Sequence, residues 1–114
     1  MTKPLVYIAH PLSGDWEANI AQARLWVGAA FRAGMFPVAP YLVCESVLHE
    51  PEDRELGLEY DLVFLEMVDA LWLCGSRISP GMAAETARAR EIGLTVVRWT
   101  DLADLESLAE SRAG

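Results

Sequence analysis

The chain has 114 residues, 53% of them hydrophobic, and a formal net charge of −8. That length suits one domain spanning residues 1–114, and at this size about two-thirds of the unfolded surface can be buried, so a core forms without disulfides. The negative surface repels phosphate backbones and argues against bulk nucleic-acid binding, while leaving room for a single nucleotide held by local donors.

No apolar run approaches the roughly 18 residues that a membrane span needs, and no signal-peptide pattern occurs. The two cysteines, Cys44 and Cys74, have no metal-ligand spacing. The expectation is a cytoplasmic protein with two reduced thiols and no membrane partner. Two distant histidines and scattered acids make no metal constellation, and no cofactor is expected.

Leu5–Ala9 is a short apolar run suited to a buried parallel strand. His10-Pro11-Leu12-Ser13-Gly14 reads as a loop, and Asp15 as the N-cap of a helix over Trp16–Ala33. Its apolar positions are Trp16, Ile20, Ala23, Val27, Ala30 and Phe31, and Gly34 is placed to end it. A second strand covers Met35–Ala39. Tyr41–Glu50 favours a short helix or helical turn, and Pro51–Glu55 a charged surface stretch. Leu56–Val68 has helical periodicity through Leu58, Leu62, Leu65 and Met67, followed by a strand at Ala70–Cys74. Ser79-Pro80 reads as an N-cap with proline at the first helical position, opening a helix to about Ile92 that Gly93 stops. A strand at Leu94–Arg98 and a helix over Asp101–Ser111 complete the pattern.

Strands separated by helices imply βαβ units and a parallel sheet. The expected fold is an α/β, flavodoxin-like or Rossmann-like three-layer sandwich with strand order 2-1-3-4. Ligands in such sheets bind beyond the carboxyl ends of the strands, at the point where the order reverses. Here that point lies between the first and third strands, where His10–Asp15 and Gly75–Gly81 emerge.

Four features converge there: Tyr7 near the end of the first strand, Asp61 in the helix before the third, Ser79-Pro80-Gly81 opening the next helix, and Glu85 about one turn further on. The segment DLVFLEMVDALWLCGSRISPGMAAE, Asp61 to Glu85, resembles the corresponding part of nucleoside 2-deoxyribosyltransferases and of the 2′-deoxynucleoside 5′-phosphate N-hydrolases. In those hydrolases an Asp opens an amphipathic helix, an apolar strand follows, and a Ser-x-Gly-x-x-x-Glu element delivers a catalytic Glu. That element here is Ser79-Pro80-Gly81-Met82-Ala83-Ala84-Glu85. Tyr7, in VYIAHP, matches a first-strand Tyr of these enzymes, and small bacterial and phage relatives often begin YIAGP or YIAHP. The resemblance covers most of residues 5–98.

The resemblance implies an N-glycosidase or glycosyltransferase acting on a nucleoside or nucleoside 5′-monophosphate. Glu85 is then the nucleophile at the anomeric carbon, and Asp61 protonates or orients the departing base. Tyr7 orients Glu85. Gly81 admits a close backbone approach, and Ser79 with its neighbouring N–H groups holds the 5′ end of the sugar. Met82 and the first-loop residues His10, Ser13 and Gly14 are the remaining substrate contacts. Ser79 rather than Asp favours a 5′-phosphate. The hydrolase loop Gly-Ser-Ile-Arg-Gly supplies an Arg for that phosphate, whereas this chain has Ser13 there, with Arg77 or His10 as replacements. Relatives build each site partly from a neighbouring subunit, so a homodimer or larger homo-oligomer is expected.

Plainer roles exist for each residue. Glu85 suits the first turns of a helix as an acid, Asp61 an exposed acidic face, Tyr7 a core position, and Ser79 a simple cap. Asp69 reads as a turn residue, His49 as surface, Trp16, Trp26 and Trp72 as core or interface, Trp99 as a cap on the sheet edge, and both cysteines as small buried hydrophobes. Two other functions fit the same fold. One is a module that binds or senses a nucleotide without turning it over. The other is a flavodoxin-type electron carrier, which lacks its Ser/Thr-rich phosphate loop here.

Overall fold

The computed structural model describes residues 3–49 and 51–113, residue 113 by its backbone alone. In chain order the elements are β1 (Leu5–Ala9), α1 (Trp16–Arg32), β2 (Phe36–Val38), α2 (Tyr41–Cys44), α3 (Arg54–Phe64), β3 (Ala70–Cys74), α4 (Pro80–Glu91), β4 (Thr95–Trp99) and α5 (Leu102–Ala113). The strands form one all-parallel sheet in the expected order, β2-β1-β3-β4.

Helices cover both faces of the sheet. Val6 and Ile8 of β1, with Trp72 and Cys74 of β3, pack against Trp26, Ala29 and Ala30 of α1 and Leu105 and Ala109 of α5. The alternate residues Tyr7 and Ala9, with Leu71 and Leu73, pack against Tyr41, Leu65, Met82 and Ala89 from the other side. Period-two alternation thus turns each near-continuous apolar strand into two half-cores. β2 is the short edge strand and holds Pro37, a residue that edges tolerate.

The capping residues act as the sequence implies. Asp15 Oδ1 accepts from Ala18 N at 3.2 Å, and Ser79 Oγ from Met82 N at 3.2 Å. Gly34 and Gly93 end α1 and α4 at φ of 87° and 74°. Asp69 is structural: its Oδ2 accepts from Leu5 N at 2.8 Å, tying the start of β1 to the turn before β3.

Several expectations are corrected. The buried stripe of α1 runs through Trp26 and Ala29 rather than Phe31, which is 55% exposed. Trp16, at the first turn, lies ahead of the packed stretch and is exposed. α3 starts earlier and stops at Phe64, so Met67 falls in a turn and points outward. Cys44 is only half-buried, because α2 is one turn at the surface, whereas Cys74 is in the core. No described helix is long and apolar enough to cross a membrane.

Candidate active site

Tyr7, Asp61 and Glu85 meet on the side of the sheet covered by α3 and α4. The placement follows from local periodicity. Tyr7 is on the α3/α4 side of β1 and is completely buried. Asp61 lies one turn before Leu65, which is fully buried, so the inward face of α3 carries the carboxyl toward the sheet. Glu85 lies between Met82 and Ala89 at helical spacing, the three forming the buried face of α4. It is 5% exposed, which is unusual for a carboxylate.

Among the described residues, no cation pairs with either acid. Burial pushes the Asp61 carboxyl up from 3.8 to about 7. Burial also lifts Glu85 from 4.5 to about 8; the nearby Tyr7 hydroxyl opposes that rise and the Asp61 charge adds to it. Both carboxyls therefore keep protons toward neutral pH that exposed acids have lost, Glu85 more firmly than Asp61. Tyr7 is raised well above 10.0 by burial first, then by the charges of Glu85 and Asp61.

Two polar atoms of this cluster lack partners. Tyr7 Oη and Asp61 Oδ1 are both shielded from solvent and meet no group at full hydrogen-bond geometry. The Tyr7 hydroxyl lies near enough to Glu85 to favour its ionised form, but not at an angle and distance that complete the bond. Buried groups of this kind cost about 1–3 kcal/mol each, and a fold keeps few of them.

Tyr41, which the sequence left inside an ambiguous helical turn, is a fourth member. Its ring sits 6.4 Å from that of Tyr7 at 52°, and its buried hydroxyl donates to Ile8 O. The β1–β2 ladder ends at the Tyr7–Val38 pair. Tyr41 thus satisfies a β1 carbonyl just past the point where β2 leaves the sheet.

The helix-opening residues have separate characters. Ser79 is buried, its hydroxyl engaged as the α4 cap, while Met82 is in the core with its sulfur 3.5 Å from Ser79 N. Gly81 is exposed, and a Cβ added there would touch only Ser79 Oγ, at 3.9 Å. The chain's own packing therefore gives no reason for glycine at this exposed helical position, where it costs about 1 kcal/mol relative to alanine.

The first-loop residues are not gathered with the carboxyls. Strand alternation carries His10 to the opposite side, into a cavity of about 320 Å³ whose walls include Trp26 of α1 and Leu102 of α5. Ser13 and Gly14 are exposed. The Ser13 carbonyl accepts from Arg77 Nη2 at 2.6 Å and from Asn19 Nδ2 at 2.9 Å, which fastens the β1–α1 loop to the β3–α4 loop. A second cavity, about 390 Å³, lies between α3 and α4 and is bordered by Leu58, Leu62 and Arg88. Neither cavity is lined by Tyr7, Asp61 or Glu85.

The α/β fold is similar to that of a known enzyme structure. A solved 2-deoxyribosyltransferase from the psychrotolerant bacterium Bacillus psychrosaccharolyticus superposes with a TM-score of 0.68, over 90% of this chain and 90% of that one, at 15% sequence identity. No curated protein matches the chain. Residues 4–99 match DUF7768, a domain of unknown function, and the chain belongs to that family.

Proposed function

We propose that the protein cleaves the N-glycosidic bond of a deoxynucleoside or deoxynucleoside 5′-monophosphate through the Tyr7–Asp61–Glu85 cluster, making it a hydrolase or transferase of the nucleoside 2-deoxyribosyltransferase kind. The observation that carries this is a pair of acids from two helices, Glu85 buried and Asp61 half-buried, with no cation paired to either among the described residues and both held protonated toward neutral pH. Structure alone gains nothing from such an arrangement, whereas glycoside chemistry needs one carboxylate and one carboxylic acid.

Burial lifts Glu85 further than Asp61, so the reactive arrangement forms when the Glu85 proton passes to Asp61; Glu85, then ionised, attacks the anomeric carbon. The C1′–N bond breaks with its electron pair passing to the base, and Asp61 delivers its proton to the departing base. Water then releases the sugar from Glu85 and returns a proton to Asp61; a second base in place of water gives transfer. Tyr7 holds the anionic form of Glu85. Gly81 leaves space against α4 for the sugar, and Ser79 stands at its 5′ end.

The exposed stripe Leu56, Tyr60, Val63 and Met67 runs along the outer side of the α3 region, which has no buried residue between Arg54 and Phe64. Exposed apolar groups at this spacing suit a second copy of the chain, in keeping with a homo-oligomer whose interface adjoins the helix carrying Asp61.

Incubation with deoxynucleosides and their 5′-monophosphates tests the proposal through release of free base, with Glu85→Ala as the control. A second reading, a module that binds a nucleotide without turnover, is favoured by the enclosure of Glu85 within the single chain. It prevails if a nucleotide binds and no base is released above the Glu85→Ala background.

A further inference from the structure

The cavity on the α1/α5 side of the sheet is separate from the carboxyl cluster and differently equipped. Its polar walls are His10, Asn19, Gln22, Arg77, Thr100 and Asp101, brought from the ends of β1, β3 and β4 and from the first turns of α1. At about 320 Å³ it is at the small end of ligand pockets, which span roughly 300–1,000 Å³.

Arg77 is the cation of this wall. In a chain of net charge −8 it pairs with no carboxylate among the described residues; one arm, Nη2, is held by the neutral Ser13 carbonyl. That bond orients the guanidinium and leaves its other donors for a ligand. Asn19 is fixed similarly, its Nδ2 donating to Leu12 O and Ser13 O at 3.1 and 2.9 Å, so its Oδ1 remains an acceptor.

His10 is oriented by chemistry. Its Nδ1 is 2.8 Å from Pro11 O, and a carbonyl only accepts, so Nδ1 carries the hydrogen. Burial and the Arg77 charge hold its pKa below 6.5, so the ring is neutral at pH 7 with a free lone pair on Nε2. Asp101 adds a second acceptor; one of its oxygens, Oδ1, takes Ala103 N at 3.0 Å. The cavity thus offers a planar guanidinium donor at one point and acceptors around it.

We propose that this cavity is a second ligand site, taking a small hydroxylated molecule with an oxyanion head that Arg77 holds, its hydroxyl groups donating to His10 Nε2 and Asp101. The head is a phosphate or a carboxylate, both of which fit the guanidinium fork. The site stands independently of the glycosidic proposal, since it shares no residue with Tyr7, Asp61 and Glu85.

The test is a titration of the 15N-labelled full chain, in separate arms, with inorganic phosphate and with acetate, followed by amide resonances. The expected result is saturable movement of the Gly75, Ser76 and Arg77 amides in at least one arm, which also identifies the head group. Arg77→Gln should weaken that binding about tenfold or more, Arg77→Lys should weaken it less, and Glu85→Gln should leave it unchanged. Because Arg77→Lys keeps the charge, it keeps the test decisive if Arg77→Gln does not fold. No saturable movement in either arm, equal affinity in the Arg77 variants, or movement centred on Met82–Glu85 overturns the proposal.

Discussion

Tyr7 and Glu85 act on each other in opposite senses: the Tyr7 hydroxyl lowers the pKa of Glu85, while the charge of Glu85 raises that of Tyr7. The phenol is buried and short of a complete hydrogen bond. Tyr7→Phe removes that unsatisfied hydroxyl, so thermal stability should stay level or rise. Base release should fall by about ten- to a hundredfold, because Glu85 loses the group favouring its anion. Thermal melts and rates on the same preparation check both directions.

Gly81 separates ligand space from folding. Alanine fits its helical backbone and meets only Ser79 Oγ at 3.9 Å. Gly81→Ala should stabilise the protein by up to about 1 kcal/mol in a urea melt. The same variant should bind nucleoside or nucleotide more weakly, since a methyl group then occupies the sugar's place. A gain in stability with unchanged ligand affinity would remove Gly81 from the site.

The buried acids set the slope of stability with pH. The folded pKa of Glu85, about 8, lies above its ordinary 4.5, and that of Asp61, about 7, above 3.8. Between these values the folded state holds protons that the unfolded chain has released, so their contribution is complete below about pH 4 and is lost as pH rises through 7 to 8. His10, with a lowered pKa, has the opposite sign and destabilises the fold as pH drops below 6.5. Denaturant melts from pH 5 to 9 should show wild type losing stability relative to Glu85→Gln over this window, by on the order of a few kcal/mol at most. Parallel curves would contradict the burial of an ionisable Glu85.

The α3 stripe gives a prediction about assembly. Tyr60 and Val63 are exposed, 39% and 49%. Val63→Asp should shift the chain toward monomer in sedimentation velocity, with circular dichroism unchanged. An unaltered distribution would place any interface elsewhere.

The parts of this architecture that local chemistry specifies were legible in the sequence. The apolar runs of β1 and β3, the Asp15 and Ser79 caps, and the glycines that stop α1 and α4 fix the element order, and the parallel sheet follows from it. The three candidate catalytic residues were picked out by resemblance; a core place for Tyr7 was foreseen, but the burial of Glu85 was not, because an acid at a helical position reads by default as solvated. Tyr41 carried no signal: its partner is a backbone carbonyl 33 positions earlier, beyond any local pattern. His10 did carry one that was missed. Alternation along β1, with Val6 and Ile8 on the α1/α5 side and Tyr7 and Ala9 on the other, already assigns position 10 to the α1/α5 side.

In the proposed reaction Glu85 becomes bonded to the sugar, and mass spectrometry of the quenched enzyme measures that bond directly. Wild-type protein mixed with a deoxynucleoside or its 5′-monophosphate should gain the mass of one deoxyribosyl group or its phosphate on the peptide containing Glu85, with Asp61→Asn altering how much accumulates and Glu85→Ala showing none. Base release without any adduct on Glu85, or with the adduct on another residue, would contradict the account.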